Sequence, residues 1–180
     1  MNFEERLGKG FELLKEKDID ESLDIARELQ KEDENNPEAF YLESLIMQQL
    51  NQWDVCIQVA SKAVDLNSEE ARYLCTRGYA RMQKEAFDEA EKDFDKAILV
   101  DDSAQAHRYK VMLMLMTDRG TEAFTYLIEQ IKKNPNDIEN WILMGDMMKR
   151  AGQDDKARTY YEQVLKMDPD NAYAKQQLEE

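Results

Sequence analysis

The sequence predicts an all-α protein, a right-handed superhelical solenoid of about five stacked helical hairpins with a short C-terminal capping helix. Three observations lead to this prediction. Apolar and small residues recur at helical spacing, the pattern returns about every 34 residues, and the three prolines all fall between copies of the pattern. One hairpin of two short helices cannot bury its apolar face alone, so neighbouring copies must stack against each other.

The clearest copy covers residues 71–104. Its first helix carries three apolar or small residues four positions apart, Leu74, Gly78 and Met82. Its second helix carries residues of the same kind at three- and four-residue spacing, Phe87, Ala90, Phe94 and Ala97. Because small side chains let two helix backbones approach closely, we expect Gly78 to meet Ala90 across the hairpin.

Copies of this pattern tile nearly the whole chain. In the last copy, Gly145 and Ala157 occupy the places of Gly78 and Ala90. The copy before it is interpreted as one residue shorter, and a weaker copy opens the chain. The predicted copies form one domain, 1–180, and cover residues 3–36, 37–70, 71–104, 105–137 and 138–171, followed by a cap at 172–180.

This repeat resembles that of the tetratricopeptide repeat (TPR) family, whose pattern places a bulky residue, a glycine, an alanine, an aromatic residue and a proline at fixed intervals. The last copy keeps it best, with Trp141, Met144, Gly145, Ala157, Tyr161 and Pro169. Three residues depart from it: Arg77 and Glu43 stand where an apolar residue is usual, and Asp102 replaces the closing proline. The resemblance implies a superhelix whose concave side is lined by the first helix of every copy.

The composition narrows the range of partners. The chain carries 39 acidic and 24 basic residues, a formal net charge of −15. Phosphate groups are bound by basic surfaces, so this balance argues against nucleic acid as the main partner. The excess carboxylates form either a solvated outer face or a specific acidic recognition surface, and the solvated face is the simpler interpretation.

Targeting signals and catalytic motifs are absent from the sequence. The N-terminal residues lack the apolar segment of a signal peptide, and the longest apolar run, residues 111–116, is far too short to span a membrane. Two cysteines do not make a disulfide framework. We therefore expect no membrane insertion and a cytoplasmic location, although a fragment of a larger secreted or anchored protein would share these features.

His107 is the only histidine, and a metal site or catalytic triad would need converging partners that the sequence does not offer. No nucleophile is paired with a base in a recognisable motif. The sequence therefore predicts that the protein is not an enzyme, has no metal site and needs no cofactor.

The concave positions implied by the TPR resemblance carry mostly apolar and aromatic residues. They are Tyr41, Leu42, Leu45, Cys75, Thr76, Tyr79, Met82, Tyr109, Lys110, Leu113, Met116, Ile142 and Leu143. Exposed apolar surface of this extent usually marks an interaction site, and tyrosine and methionine suit contact with irregular partners. We expect Tyr41, Tyr79 and Tyr109 to project into one trough, with Tyr79 at its centre.

The predicted function is that of a protein-interaction scaffold or adaptor, which binds a helical or extended peptide in this groove. Two alternatives stay open. The groove could hold an identical subunit of a self-assembling structural protein, or the chain could be a regulatory or co-chaperone subunit of a larger complex.

Overall fold

The computed structural model describes residues 1–179, and over that range the chain forms eleven α-helices and no strand. The helices are α1 (Phe3–Glu16), α2 (Ile19–Glu32), α3 (Pro37–Gln49), α4 (Trp53–Leu66), α5 (Ala71–Gln83), α6 (Phe87–Asp101), α7 (Ala104–Met116), α8 (Gly120–Lys133), α9 (Ile138–Arg150), α10 (Asp154–Met167) and α11 (Ala172–Glu179). The prediction of helical hairpins with a short C-terminal helix is confirmed. No helix within these residues is both long enough and apolar enough to cross a membrane.

The same turn joins the two helices of every hairpin. Its middle residue adopts a left-handed backbone, with φ of 66° at Lys17, 55° at Asn51, 60° at Glu85, 59° at Asp118 and 68° at Gly152. Only the last of these five is glycine, the residue that accepts this conformation without steric cost. Asn51 and Asp118 also adopt it readily, whereas at Lys17 and Glu85 the packing of the two helices must hold the turn in place.

The spacing of the helices locates the shortened copy. First helices begin at Ala71, Ala104 and Ile138, so the interval is 33 residues and then 34. Helix α6 is one residue longer than the other second helices. Only two residues, Asp102 and Ser103, connect it to α7, whereas four residues connect α4 to α5. The helix bounds thus show that the third copy is one residue shorter, at its end. From the sequence pattern, by contrast, the fourth copy, 105–137, is expected to be the shorter one.

The chain divides into two compact units, Met1–Leu113 and the part that begins at Met114. In the first unit, α1 packs on α2, α3 on α4 and α5 on α6, and each pair packs on the next. Its core is a series of buried apolar side chains that includes Leu29, Leu42, Ile46, Leu74 and Phe94. In the second unit, α9 packs on α10, which also holds α11, and the core includes Leu127, Met144, Tyr161 and Val164.

Glycines in two first helices permit close helix packing. A Cβ built on Gly78 would lie 2.6 Å from Cε1 of Phe94, and one on Gly145 would lie 2.5 Å from Cε1 of Tyr161. The nearest neighbour across each hairpin is therefore an aromatic ring, one helical turn beyond the alanine that we expected at that place. The close approach itself agrees with the sequence pattern.

The charged residues that depart from the family pattern, Arg77 and Glu43, are both paired. The Asp93 carboxylate, 3% exposed, accepts hydrogen bonds from Arg77 (2.7 and 3.0 Å) and from Arg81 (2.6 Å). Glu43, 6% exposed, accepts from Arg27 at 3.2 Å and from Gln30 at 2.7 Å. Each carboxylate is thus paired and hydrogen-bonded, as a buried charge must be.

Candidate protein-binding surface

The thirteen residues expected to line the groove differ widely in exposure. Five are buried, with exposed fractions of 5% or less: Leu42, Cys75, Thr76, Met82 and Leu113. Five others of the first unit are partly exposed: Tyr41, Leu45, Tyr79, Tyr109 and Lys110. The remaining three belong to the second unit, where Met116 is exposed and Ile142 and Leu143 are partly buried.

The burial of Leu113 follows from the shortened third copy. Counting from the start of α7, Leu113 matches the buried Ala80 of α5, and Met112 matches the partly exposed Tyr79. A shift of one residue turns a helical side chain by about 100° around the axis, enough to exchange an exposed position for a core position. Met112 therefore takes the outward place that the sequence pattern gave to Leu113.

Burial also determines the chemistry of the two cysteines. Cys75 packs in the core beside Tyr73 and Leu74, and Cys56 donates its thiol hydrogen to the carbonyl oxygen of Ser44, with the sulfur 3.2 Å away. Desolvation raises the pKa of each thiol to about 12. Both side chains are therefore neutral core residues at physiological pH, and neither offers a reactive thiolate.

Tyr41 belongs to a cluster at the N-terminal ends of α3 and α5. Its ring lies 6.1 Å from that of Phe11 and 5.0 Å from that of Tyr73, centroid to centroid. The Arg72 guanidinium stands 5.1 Å over the Tyr41 ring, a favourable cation–π distance. Burial raises the pKa of the Tyr41 hydroxyl, and the nearby Arg72 charge partly opposes that rise.

Two carboxylates fix this arginine in place. Arg72 donates to Glu70 at 3.0 and 3.1 Å and to Glu38 at 2.8 Å, and Glu38 also accepts from the Tyr73 hydroxyl at 2.6 Å. The hydrogen bond to Arg72 lowers the pKa of Glu70, and desolvation followed by the Glu38 hydrogen bond raises the pKa of Tyr73. The arginine is thus neutralised locally and is not a free cation for a ligand.

Tyr79 belongs to a second cluster, which joins α4, α5, α6 and α7. Its ring lies 5.9 Å from Trp53 in an edge-on arrangement and 5.0 Å from Tyr109, which in turn lies 5.6 Å from Phe94. Gln105 donates to the Tyr109 hydroxyl at 2.9 Å. Tyr79 is therefore held rigidly by aromatic neighbours while part of its ring stays in contact with solvent.

We call the partly exposed side chains of α3, α5 and α7 in the first unit the aromatic surface. Its members are Tyr41, Leu45, Tyr79, Tyr109 and Met112. Helices α3 and α5 are in direct contact, and Tyr79 contacts Tyr109, so the surface continues from one helix to the next. It offers the apolar area of partly exposed side chains, three of them tyrosines, and Lys110 beside it is paired with Asp95.

The one histidine of the chain is paired with a carboxylate. The His107 imidazole Nε2 lies 2.8 Å from the Asp102 carboxylate, and this pair joins the end of α6 to α7. Within residues 1–179, no group of three or more histidine, cysteine or carboxylate side chains is arranged to hold a metal ion.

In the second unit, tyrosine hydroxyls converge on one carboxylate. Asp146 of α9 accepts hydrogen bonds from Tyr161 of α10 at 2.7 Å and from Tyr173 of α11 at 2.9 Å. These bonds fasten α11 to the final hairpin, as expected for a terminal helix that covers the last repeat. In the same unit, the Trp141 indole donates to the carbonyl oxygen of Pro135 at 2.8 Å.

Comparison with known proteins agrees with this architecture. Models of the tetratricopeptide repeat match residues 71–103 and 138–171. Protein O-mannosyl-transferase Tmtc3 of Drosophila melanogaster is 28% identical over 112 residues, which make up 61% of this chain and 12% of that protein. The match therefore concerns a small part of that much longer relative.

Solved structures share the fold at low sequence identity. The thermophilic TPR protein TTC0263 of Thermus thermophilus has a TM-score of 0.83 at 15% identity, over 99% of this chain and 97% of that one. PilF of Pseudomonas aeruginosa has a TM-score of 0.78 at 17% identity, over 96% and 79%. YrrB, described as a TPR protein with an unusual peptide-binding site, has a TM-score of 0.60 at 20% identity, over 85% and 79%. The repeat matches and the shared fold identify the chain as a tetratricopeptide repeat protein.

Proposed function

We propose that the protein is an interaction scaffold that binds a peptide segment of a partner protein on the aromatic surface of its first unit. The observation that carries this proposal is the position of Tyr79, which is braced by Trp53 and Tyr109 and still partly exposed. A side chain that is already ordered loses little conformational entropy on binding, so its contact area contributes efficiently to affinity.

The charges around the aromatic surface favour an apolar mode of binding. Arg72 is held by two carboxylates and Lys110 by Asp95, so the nearby cations are neutralised within the chain. Affinity then comes from buried apolar area and aromatic contacts, and its dependence on salt is weak. The peptide-binding description of YrrB, which shares the fold, adds support for a peptide as the ligand class.

The test begins with selection of binding peptides from a random library displayed on phage, with the full chain as bait. The affinity of the best peptide is then measured by calorimetry for the wild type and for Tyr79→Ala. We expect the substitution to cost about 1–3 kcal/mol of binding free energy, the usual range for an aromatic anchor.

A matched control separates this surface from the acidic exterior. Glu89 is exposed on α6, and Glu89→Lys should leave the affinity unchanged although it reverses one surface charge. Normal binding by Tyr79→Ala, together with loss of binding by Glu89→Lys, would refute the proposal and assign recognition to the acidic surface. A doubling of mass in light scattering that Tyr79→Ala abolishes would instead favour self-assembly through this surface.

A further inference from the structure

The second unit contains a cavity of about 680 Å³ that the proposed function does not use. It lies among the end of α7, the first residues of α8 and α10, and the last residues of α9. Its apolar wall is formed by Leu115, Phe124, Met147 and Met148. The volume falls within the range of about 300–1,000 Å³ that is common for ligand pockets in proteins.

The cavity exists because one large side chain is missing from the repeat pattern. The second helices of the first three hairpins begin with Ile19, Trp53 and Phe87, whereas α8 begins with Gly120. Trp53 packs on Tyr79 of the next hairpin, but a Cβ built on Gly120 would have no atom within 4 Å. The space that an aromatic ring fills in the second and third hairpins is therefore open here.

The partner of that missing ring has also changed. The ninth residue of α5 is Tyr79, and the ninth residue of α9 is Asp146, whose carboxylate is engaged by Tyr161 and Tyr173. Helices α8 and α9 contact each other less extensively than α4 and α5 do. Asp146 itself does not line the cavity, so neither the start of α8 nor this position of α9 supplies an aromatic ring to it.

The rim of the cavity is positively charged in a strongly acidic chain. Arg150 and Lys156 are exposed at the rim, and neither forms an ion pair with any residue in the described range. Asp118 is the only acidic side chain among the described residues that line it. Helices α8 and α10 begin at the cavity without a side-chain cap, and the acidic residues of their first turns, Glu122, Asp154 and Asp155, are not among the residues that line it.

We propose that this cavity is a second binding site, which takes an aromatic side chain of a partner polypeptide with a carboxylate beside it. The ring occupies the place that Trp53 and Phe87 fill in their own hairpins and contacts the sulfur-containing side chains of Met147 and Met148. The carboxylate is attracted by Arg150 and Lys156. Two copies of a chain with a formal net charge of −15 repel each other, which favours a different partner over a second copy, and the chain's own Tyr173 is already bonded to Asp146.

The site can be tested without knowledge of the partner. The probes are N-acetyl-tryptophan, which has both the ring and a carboxylate, and its uncharged amide. Binding to the full chain is followed in spectra of ¹³C-methyl methionine, in which Met147 and Met148 report on the cavity. We expect N-acetyl-tryptophan to shift these two resonances saturably and the amide to bind about two- to fivefold more weakly, as for an exposed ion pair.

Substitutions of Gly120 test whether N-acetyl-tryptophan binds inside the cavity. Gly120→Phe installs the residue that α6 carries at this position, and it should lower the affinity for N-acetyl-tryptophan about tenfold or more by occupying the space. Gly120→Ala, the matched control, should change the affinity less than about twofold because it leaves most of the cavity open. Both variants should retain the wild-type helix content, measured by circular dichroism.

Charge variants complete the test. Lys156→Ala and Arg150→Ala should each weaken binding of N-acetyl-tryptophan and leave binding of the amide unaffected. Undiminished binding by Gly120→Phe, or shifts confined to methionines outside the cavity, would overturn the proposal. A dimer in light scattering that Gly120→Phe dissociates would also overturn it, because the occupant would then be a second copy. The site shares no residue with the aromatic surface, so failure of Tyr79→Ala leaves this result unaffected.

Discussion

The close contact of Gly78 with the opposite helix gives a sharp prediction of stability. A Cβ at this position would lie 2.6 Å from Cε1 of Phe94 and 3.0 Å from Cβ of Asp93, whereas unstrained carbon contacts are about 3.5–4.0 Å. Phe94 is fully buried, so its ring has no free space into which to move. Overpacking of this kind costs about 1–3 kcal/mol.

The size of the effect follows from comparison with a second glycine of the same unit. Gly8 lies within α1 and is exposed, and a Cβ there would have no atom within 4 Å. Gly8→Ala should therefore raise the free energy of unfolding by about 1 kcal/mol through helix propensity alone. Gly78→Ala has the same favourable change in helix propensity, but the added methyl group also overpacks the core. The Gly78→Ala variant should therefore be about 1–3 kcal/mol less stable than Gly8→Ala.

The free energy of unfolding of both variants is measured by urea denaturation followed by circular dichroism. An equal dependence of this free energy on urea concentration shows that both variants unfold in the same cooperative transition. Combination of Gly78→Ala with Phe94→Leu should recover part of the loss, since a smaller side chain removes the clash and the two changes are coupled. If Gly78→Ala stabilised the protein as much as Gly8→Ala, the proposed packing of α5 on α6 would be refuted.

Two further predictions concern buried ionisable groups. The pKa values of Cys56 and Cys75 are raised to about 12, so these thiols lose their protons at lower pH in the unfolded chain than in the folded protein. The free energy of unfolding should therefore fall above about pH 9, by up to about 1.4 kcal/mol per pH unit for each thiol. Alkaline urea titrations should show this slope, and Cys56→Ala should halve the thiol contribution; an unchanged slope would contradict it. Asp93→Ala should cost about 3–5 kcal/mol by leaving two arginines unpaired, against about 0–1 kcal/mol for the half-exposed Asp95→Ala. Equal melting temperatures of these two variants would argue against the buried ion pairs.

The sequence was sufficient to predict the hairpins because helical spacing and the repeat period agree throughout the chain. The exact frame of α7 was harder to predict. Asp102 stands where a proline usually closes the copy, and it ends α6 with a left-handed backbone, φ 55°. No glycine or proline marks the shortened connection, so the sequence pattern does not fix which copy loses a residue. The displacement of Leu113 by Met112 follows from that one-residue difference.

The exposure of the predicted groove residues depends on tertiary packing. Spacing along a helix shows which side chains share a stripe, but how far the next hairpin covers that stripe depends on the shapes of both. Leu42 and Met82 are fully buried, whereas Leu45 and Tyr79 on the same two helices keep part of their surface exposed. The cavity beside Gly120 likewise needed coordinates, although the loss of an aromatic residue at the start of α8 is visible in the sequence once the helix starts are known.

The most direct test of peptide binding on the aromatic surface is a titration of ¹³C-methyl methionine spectra with the selected peptide. The chain has ten methionines, and Met112 is the one that belongs to the aromatic surface, while Met144 lies buried in the second unit. We expect the Met112 methyl to show the largest shift and Met144 to stay unchanged. Shifts at Met147 and Met148 with Met112 unchanged would contradict the account, because they would assign the peptide to the cavity of the second unit.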